Sequence, residues 1–111
     1  MNAKPTGVDL ILAERTRQIK KGWTSEHDDN HEDGSIADAA ACYTVAASAG
    51  ARGADAEEEF TASMLNGYSD SLLSWPWDEK DWKPSADPIH NLVKAGALVA
   101  AEIDRLNRLK A

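Results

Sequence analysis

Residues 87–109, Asp-Pro-Ile-His-Asn-Leu-Val-Lys-Ala-Gly-Ala-Leu-Val-Ala-Ala-Glu-Ile-Asp-Arg-Leu-Asn-Arg-Leu, carry the clearest structural signal in the chain. Asp87 suits a helix cap, where its side chain accepts from free backbone amides, and Pro88 sits where no amide donor is required. Behind them Ile89, Leu92, Val93, Gly96, Val99, Ile103 and Leu106 recur every three or four residues, the period of one helix face. Glu102 and Asp104 stand at i,i+3 and i,i+4 from Arg105 and Arg108, so these charges are expected to pair within the helix. No segment alternates convincingly with period two and no internal repeat is evident, which makes an all-α fold the expectation.

Working back from that helix, the same punctuation marks three more. Thr6 and Asp9 have capping-box spacing and Gly22 is a stop, which predicts helix one over about Thr6–Lys21, with Val8, Ile11, Leu12 and Ile19 as its buried stripe. Ser35 and Asp38 repeat the capping pattern and Gly50 ends the run, predicting helix two. Asp55 and Glu58 open a third helix that reaches about Ser74, with Phe60, Met64, Tyr68 and Leu72 as core. The expected architecture is one helical domain over 1–111, a compact bundle of about four helices with irregular loops at 22–34 and 75–87. A length of 111 residues fits one modest core, and the alanines at 37, 39–41, 95, 97, 100 and 101 favour helix and close packing; a core this small would gain from pairing with a second copy, so a homo-oligomer is open.

The net charge of −7 argues against direct, sequence-independent nucleic-acid binding, which relies on basic side chains, but leaves room for a small anionic ligand. No apolar run approaches bilayer length and the N-terminus lacks the basic-then-apolar signal pattern, so no membrane contact and a cytoplasmic location are expected. Cys42 is the lone cysteine and falls in an apolar helical pattern, which reads as packing.

Chemistry concentrates in residues 22–34, Gly-Trp-Thr-Ser-Glu-His-Asp-Asp-Asn-His-Glu-Asp-Gly. Glu26, Asp28, Asp29, Glu32 and Asp33 repel one another unless a positive group joins them, while His27 and His31 add neutral nitrogen donors. One reading makes His27, Asp28, Asp29 and His31 ligands of a divalent metal such as zinc, manganese or iron, with Glu26 or Glu14 as base for a bound water. The other makes the acids caps and solvated charges, and continuous helix is disfavoured there by Gly22, Asn30 and Gly34. Glu14 and Gln18 share a face of helix one, and Arg15 borders it, so this trio either anchors the loop through Asp28 or His31 or lines a groove.

Three of the four tryptophans, Trp75, Trp77 and Trp82, lie in eight residues punctuated by Pro76 and Pro84. Together with Trp23 they either close the core or offer rings for a purine, with Arg15, Lys83, Lys94 or Arg105 on its phosphate.

Ala-Glu-Arg at 13–15, Gln18-Ile19, Gly22-Trp23-Thr24, Glu26-His27-Asp28-Asp29, His31, Trp75-Pro76-Trp77, Trp82-Lys83-Pro84 and Lys94-Ala95-Gly96-Ala97-Leu98 resemble a widespread family of small bacteriophage and prophage proteins. The resemblance spans nearly the whole chain and implies a host-cell cytoplasmic setting. A second, partial resemblance is to MazG-like all-α nucleoside triphosphate pyrophosphohydrolases, in the first helix and the Gly-Trp entry into the next. Those enzymes hold magnesium on paired glutamates one turn apart, whereas helix two here offers Asp38 alone and Glu58 and Glu59 are adjacent. His27-Asp28 is also similar to the His-Asp pair of HD-domain phosphohydrolases, a two-residue likeness.

Three functions follow as expectations. The first is a phage accessory protein that binds, and by binding sequesters, a small anionic nucleotide-like ligand through Glu14, Arg15, Gln18, Trp23, His27, Asp28, His31, Trp75, Trp77, Trp82, Lys83 and Lys94. The second is metal-dependent nucleotide pyrophosphate hydrolysis at the histidine and aspartate cluster. The third is an acidic module that blocks a basic host protein.

Overall fold

In the computed structural model, Thr6 and Asp9 close the first capping box reciprocally: the Thr6 hydroxyl accepts from the Asp9 amide at 3.2 Å, and the Asp9 carboxylate accepts from the Thr6 amide at 3.0 Å. The structure describes residues 3–53, 55, 58, 60, 61, 65 and 74–110. From that cap α1 runs Gly7–Lys20, followed by α2 (Ser25–Asp29), α3 (Ser35–Arg52), a single 3-10 turn (Glu79–Asp81) and α4 (Pro88–Leu109). The described residues contain no strand, and the helices pack into the expected small all-α bundle. None of the described helices is long and apolar enough to cross a membrane. Most of the third helix expected from the sequence, 55–74, lies outside the described residues, although 55, 58, 60, 61 and 65 are helical.

Three local expectations are corrected. The segment 22–34 is not wholly irregular, because Thr24 accepts from the His27 amide and starts the five-residue α2. Gly34, at φ +84, is the residue that precedes α3, and the Ser35 amide donates to Asp33 rather than Ser35 capping Asp38. The break after α3 comes at Gly53, with φ +119, since Gly50 continues the helix and the left-handed backbone needed to leave it is found three residues later.

The core is built by α3 against α4, with α1 and α2 docked on α4. Ile36, Ala39, Ala40, Cys42, Tyr43 and Ala46 of α3 meet Ala95, Leu98 and Ala101 of α4, and Trp82 closes the cluster. Small side chains at most of these contacts let the helix axes approach closely, which is what the alanine content does here. Burial raises the Cys42 thiol to about 12, in keeping with a packing role.

Helix α1 docks in a way its sequence stripe does not foretell. Val8, Leu12 and Ile19 remain exposed, and the inward face carries Ile11 and the buried Gln18. Ile11 drops onto Gly96 of α4, where an added Cβ would stand 2.5 Å from its Cδ1 atom. Apolar period alone marks a face that wants covering, and here α1 takes its register from the polar side.

Candidate functional site

Glu14, Arg17 and Gln18 of α1 and its C-cap Lys21 fall at i, i+3, i+4 and i+7, so all four lie on one side. Opposite them stand Tyr43 of α3 and Lys94 and Leu98 of α4, and the segment 75–83 supplies Trp75, Trp77, Asp81 and Lys83. With Trp23 these residues enclose a cavity of about 390 Å³. That volume lies in the range of small-molecule pockets, commonly about 300–1,000 Å³.

The aromatic wall is continuous. Ring centroids lie 5.5 Å apart for Trp23 and Trp77, 5.4 Å for Trp75 and Trp77, 4.9 Å for Trp75 and Trp82, and 4.7 Å for Tyr43 and Trp82. Trp82 is the buried base of this chain, and Trp23, Trp75 and Trp77 keep part of their surface open. The segment holding them is tied down by backbone and side-chain bonds. Trp75 Nε1 donates to the Asp78 carbonyl at 2.9 Å, and the Asn91 side chain clamps Ser85 by accepting from its amide at 2.8 Å and donating to its carbonyl at 2.9 Å.

Charge in the pocket runs against the molecule as a whole. Its lining contains four cations, Arg17, Lys21, Lys83 and Lys94, and two carboxylates, Glu14 and Asp81, within a chain of net charge −7. Glu14 is engaged by Arg17 through two bonds of 2.7 Å and by Gln18 Nε2 at 3.2 Å. The Arg17 guanidinium holds the Glu14 carboxyl below its ordinary range, so it stays ionised and neutralises Arg17. Lys94 donates to the Lys83 carbonyl at 2.7 Å and sits 5.3 Å from the Tyr43 ring centroid. Burial lowers the Lys94 pKa, because its charge gives up water without meeting a bonded carboxylate among the described residues.

Two buried polar atoms at this site lack a hydrogen-bond partner among the described residues: Gln18 Oε1, an acceptor, and Trp77 Nε1, a donor. Leaving such groups unpaired costs about 1–3 kcal/mol each. Gln18, 8% exposed, and Trp77 both line the cavity, while these two atoms themselves are buried beneath its surface.

Seven of the residues singled out in the sequence therefore meet in one place: Glu14, Gln18, Trp23, Trp75, Trp77, Lys83 and Lys94. Trp82 lies beneath them in the core. Arg15 points elsewhere, with Nη2 3.5 Å from Asp28 and 3.8 Å from Asp104, and it binds α2 to α1 and α4. His27 and His31 stack on each other at 4.5 Å and lean on Trp23 and Trp77, lining a neighbouring recess with Asp78 and Asp81. Sequence reasoning missed Arg17, Lys21, Tyr43, Asp81 and Leu98. The i+3 and i+7 positions from Glu14 were available signals for the first two, whereas Asp81 and Leu98 are brought in by tertiary packing alone.

The four residues read as metal ligands do not converge. His27 Nδ1 lies 3.1 Å from Asp28 Oδ1, His31 Nδ1 is 2.9 Å from the His27 carbonyl, and Asp29 pairs with Arg108 of α4 at 2.7 Å. Among the described residues no three His, Cys, Asp or Glu side chains are grouped to hold a cation. The expected pair of Asp104 with Arg108 is likewise replaced, since Arg108 reaches Asp29 and Asp104 faces Arg15, and the Glu102–Arg105 pair forms at 2.6 Å. The chain matches no family model, no curated protein and no solved structure.

Proposed function

We propose that this protein binds a small anionic, nucleotide-like ligand in the pocket between α1, α4 and the tryptophan segment, and holds it without transforming it. The carrying observation is the coincidence of partly exposed tryptophans with an excess of cations lining one pocket of an otherwise acidic molecule. A base would stack on Trp23, Trp75 or Trp77, a contact worth about 1–3 kcal/mol per ring. Its phosphate would meet Lys83, Lys94 and Lys21, the cations that Glu14 leaves unpaired.

The sequence resemblance to small phage proteins supports a sequestering role, in which tight binding lowers the free concentration of a host signal. Isothermal titration calorimetry against a panel of nucleoside phosphates tests the reading. Saturable one-site binding is expected, with recovery of unaltered nucleotide after incubation. Absence of heat from every member of the panel, or conversion of the nucleotide, contradicts it.

A further inference from the structure

The cavity between α1, α4 and the tryptophan segment adjoins two recesses that share no residue and differ in polarity. One is lined by Glu14, Arg17, His90, Val93 and Lys94, and there Arg17 neutralises the Glu14 carboxylate while Lys94 adds a positive charge. The other, about 380 Å³, is lined by Trp23, His27, His31, Trp77, Asp78 and Asp81. Asp81 lines both this second recess and the cavity itself.

The titratable groups of the second recess are hydrogen-bond acceptors. An ionised carboxylate only accepts. His31 Nδ1 lies 2.9 Å from the His27 carbonyl, and a carbonyl cannot donate, so that nitrogen carries the ring proton. His27 Nδ1 stands in the same way 3.1 Å from the Asp28 carboxylate, which Arg15 also meets. Each neutral ring is thereby left with a lone pair on Nε2. The Asp81 amide donates to the Asp78 carbonyl at 2.9 Å and fixes the turn, whereas neither of their carboxylates is in an ion pair among the described residues.

We propose that the base bound in this cavity is guanine and that Asp81 reads its edge. This rests on the nucleotide reading of the cavity and adds the identity of the base. Guanine presents two adjacent donors on one edge, N1–H and the N2 amino group, and the two oxygens of a carboxylate accept such a pair. Adenine sets the acceptor N1 beside its N6 amino group, and the pyrimidines set an acceptor beside every donor, so each would bring a lone pair against the carboxylate. With the base on Trp23 or Trp77, whose recess Asp81 shares, the phosphates run toward Lys94 and Arg17. Donors then meet acceptors on one side and anions meet cations on the other; the reverse placement would set phosphate against Asp78 and Asp81.

Isothermal titration calorimetry of the full chain with guanosine, inosine and adenosine triphosphates tests the assignment, because the three share a tail and inosine differs from guanosine only in lacking the N2 amino group. Guanosine triphosphate is expected to bind about tenfold tighter than adenosine triphosphate or better, with inosine triphosphate between them. Asp81 is exposed, so Asp81→Asn is expected to keep its helical circular dichroism. It exchanges one acceptor oxygen for a donor, and the guanosine-to-adenosine affinity ratio is expected to fall to about one. Should the variant fail to fold, the inosine comparison in the wild type decides. Equal binding of the guanosine and adenosine ligands, inosine triphosphate binding as tightly as guanosine triphosphate, or a folded variant that keeps the preference overturns this proposal and leaves the cavity a nucleotide site. No binding by any of the three overturns the nucleotide reading as well.

Discussion

At Lys94 the ammonium gives up part of its water for one backbone carbonyl and the face of Tyr43, and its pKa falls. An anionic ligand would reverse that shift, since it favours the charged form. Affinity is therefore expected to stay level below the lysine's lowered pKa and to decline as pH rises through it, which calorimetry in alkaline buffers measures. Lys94→Gln keeps the size but removes the charge, and binding should weaken by about tenfold, or roughly 1.4 kcal/mol. Trp77→Ala removes a stacking ring, with an expected loss of about 1–3 kcal/mol in the same assay. Asp28 makes a contrasting case: it is 1% exposed and its carboxylate faces Arg15 and His27. Arg15→Ala takes the guanidinium from that buried carboxylate and leaves it His27 alone, and chemical denaturation should show a loss of about 3 kcal/mol while the pocket lining itself is untouched.

Among the elements, α1 is the one whose placement decides the site. Gly96 gives Ile11 its seat, and Gly96→Ala would force that side chain aside, with an expected cost of about 1–3 kcal/mol in thermal or denaturant unfolding. The carboxyl of Glu14 is held low by Arg17, so its contribution is present above its unfolded pKa and drains away as pH falls through the folded one. Helix boundaries of this kind were largely readable from the chain: the Thr6–Asp9 box and the Asp87–Pro88 start are both present. Gly34 and Gly53 show why the rest was not. A glycine is legible as a break, but which of several near neighbours takes the left-handed backbone depends on where the next contacts lie. The rotation of α1 escaped for a similar reason, because Val8, Leu12 and Ile19 promised burial that the bundle gives to Ile11 and Gln18. Periodicity fixes a face, while its partner is a property of the assembled structure.

Taken whole, the molecule is a slab 22 Å through, and its pocket has two sides, cations beside Lys94 and hydrogen-bond acceptors beside Asp81. The acidic loop, which held the densest group of titratable side chains in the sequence, turns out to brace the bundle through Arg15–Asp28 and Arg108–Asp29, and its histidines back the tryptophans. Its chemistry was visible in the chain; the partners that use it up come from residues 13 and 79 positions away. The measurement closest to the heart of this account is nucleotide titration of the wild-type chain and Lys94→Gln side by side. Saturable binding to the wild type, weakened about tenfold in the variant, is the predicted result; no binding, or equal binding to both, would contradict the assignment of this pocket.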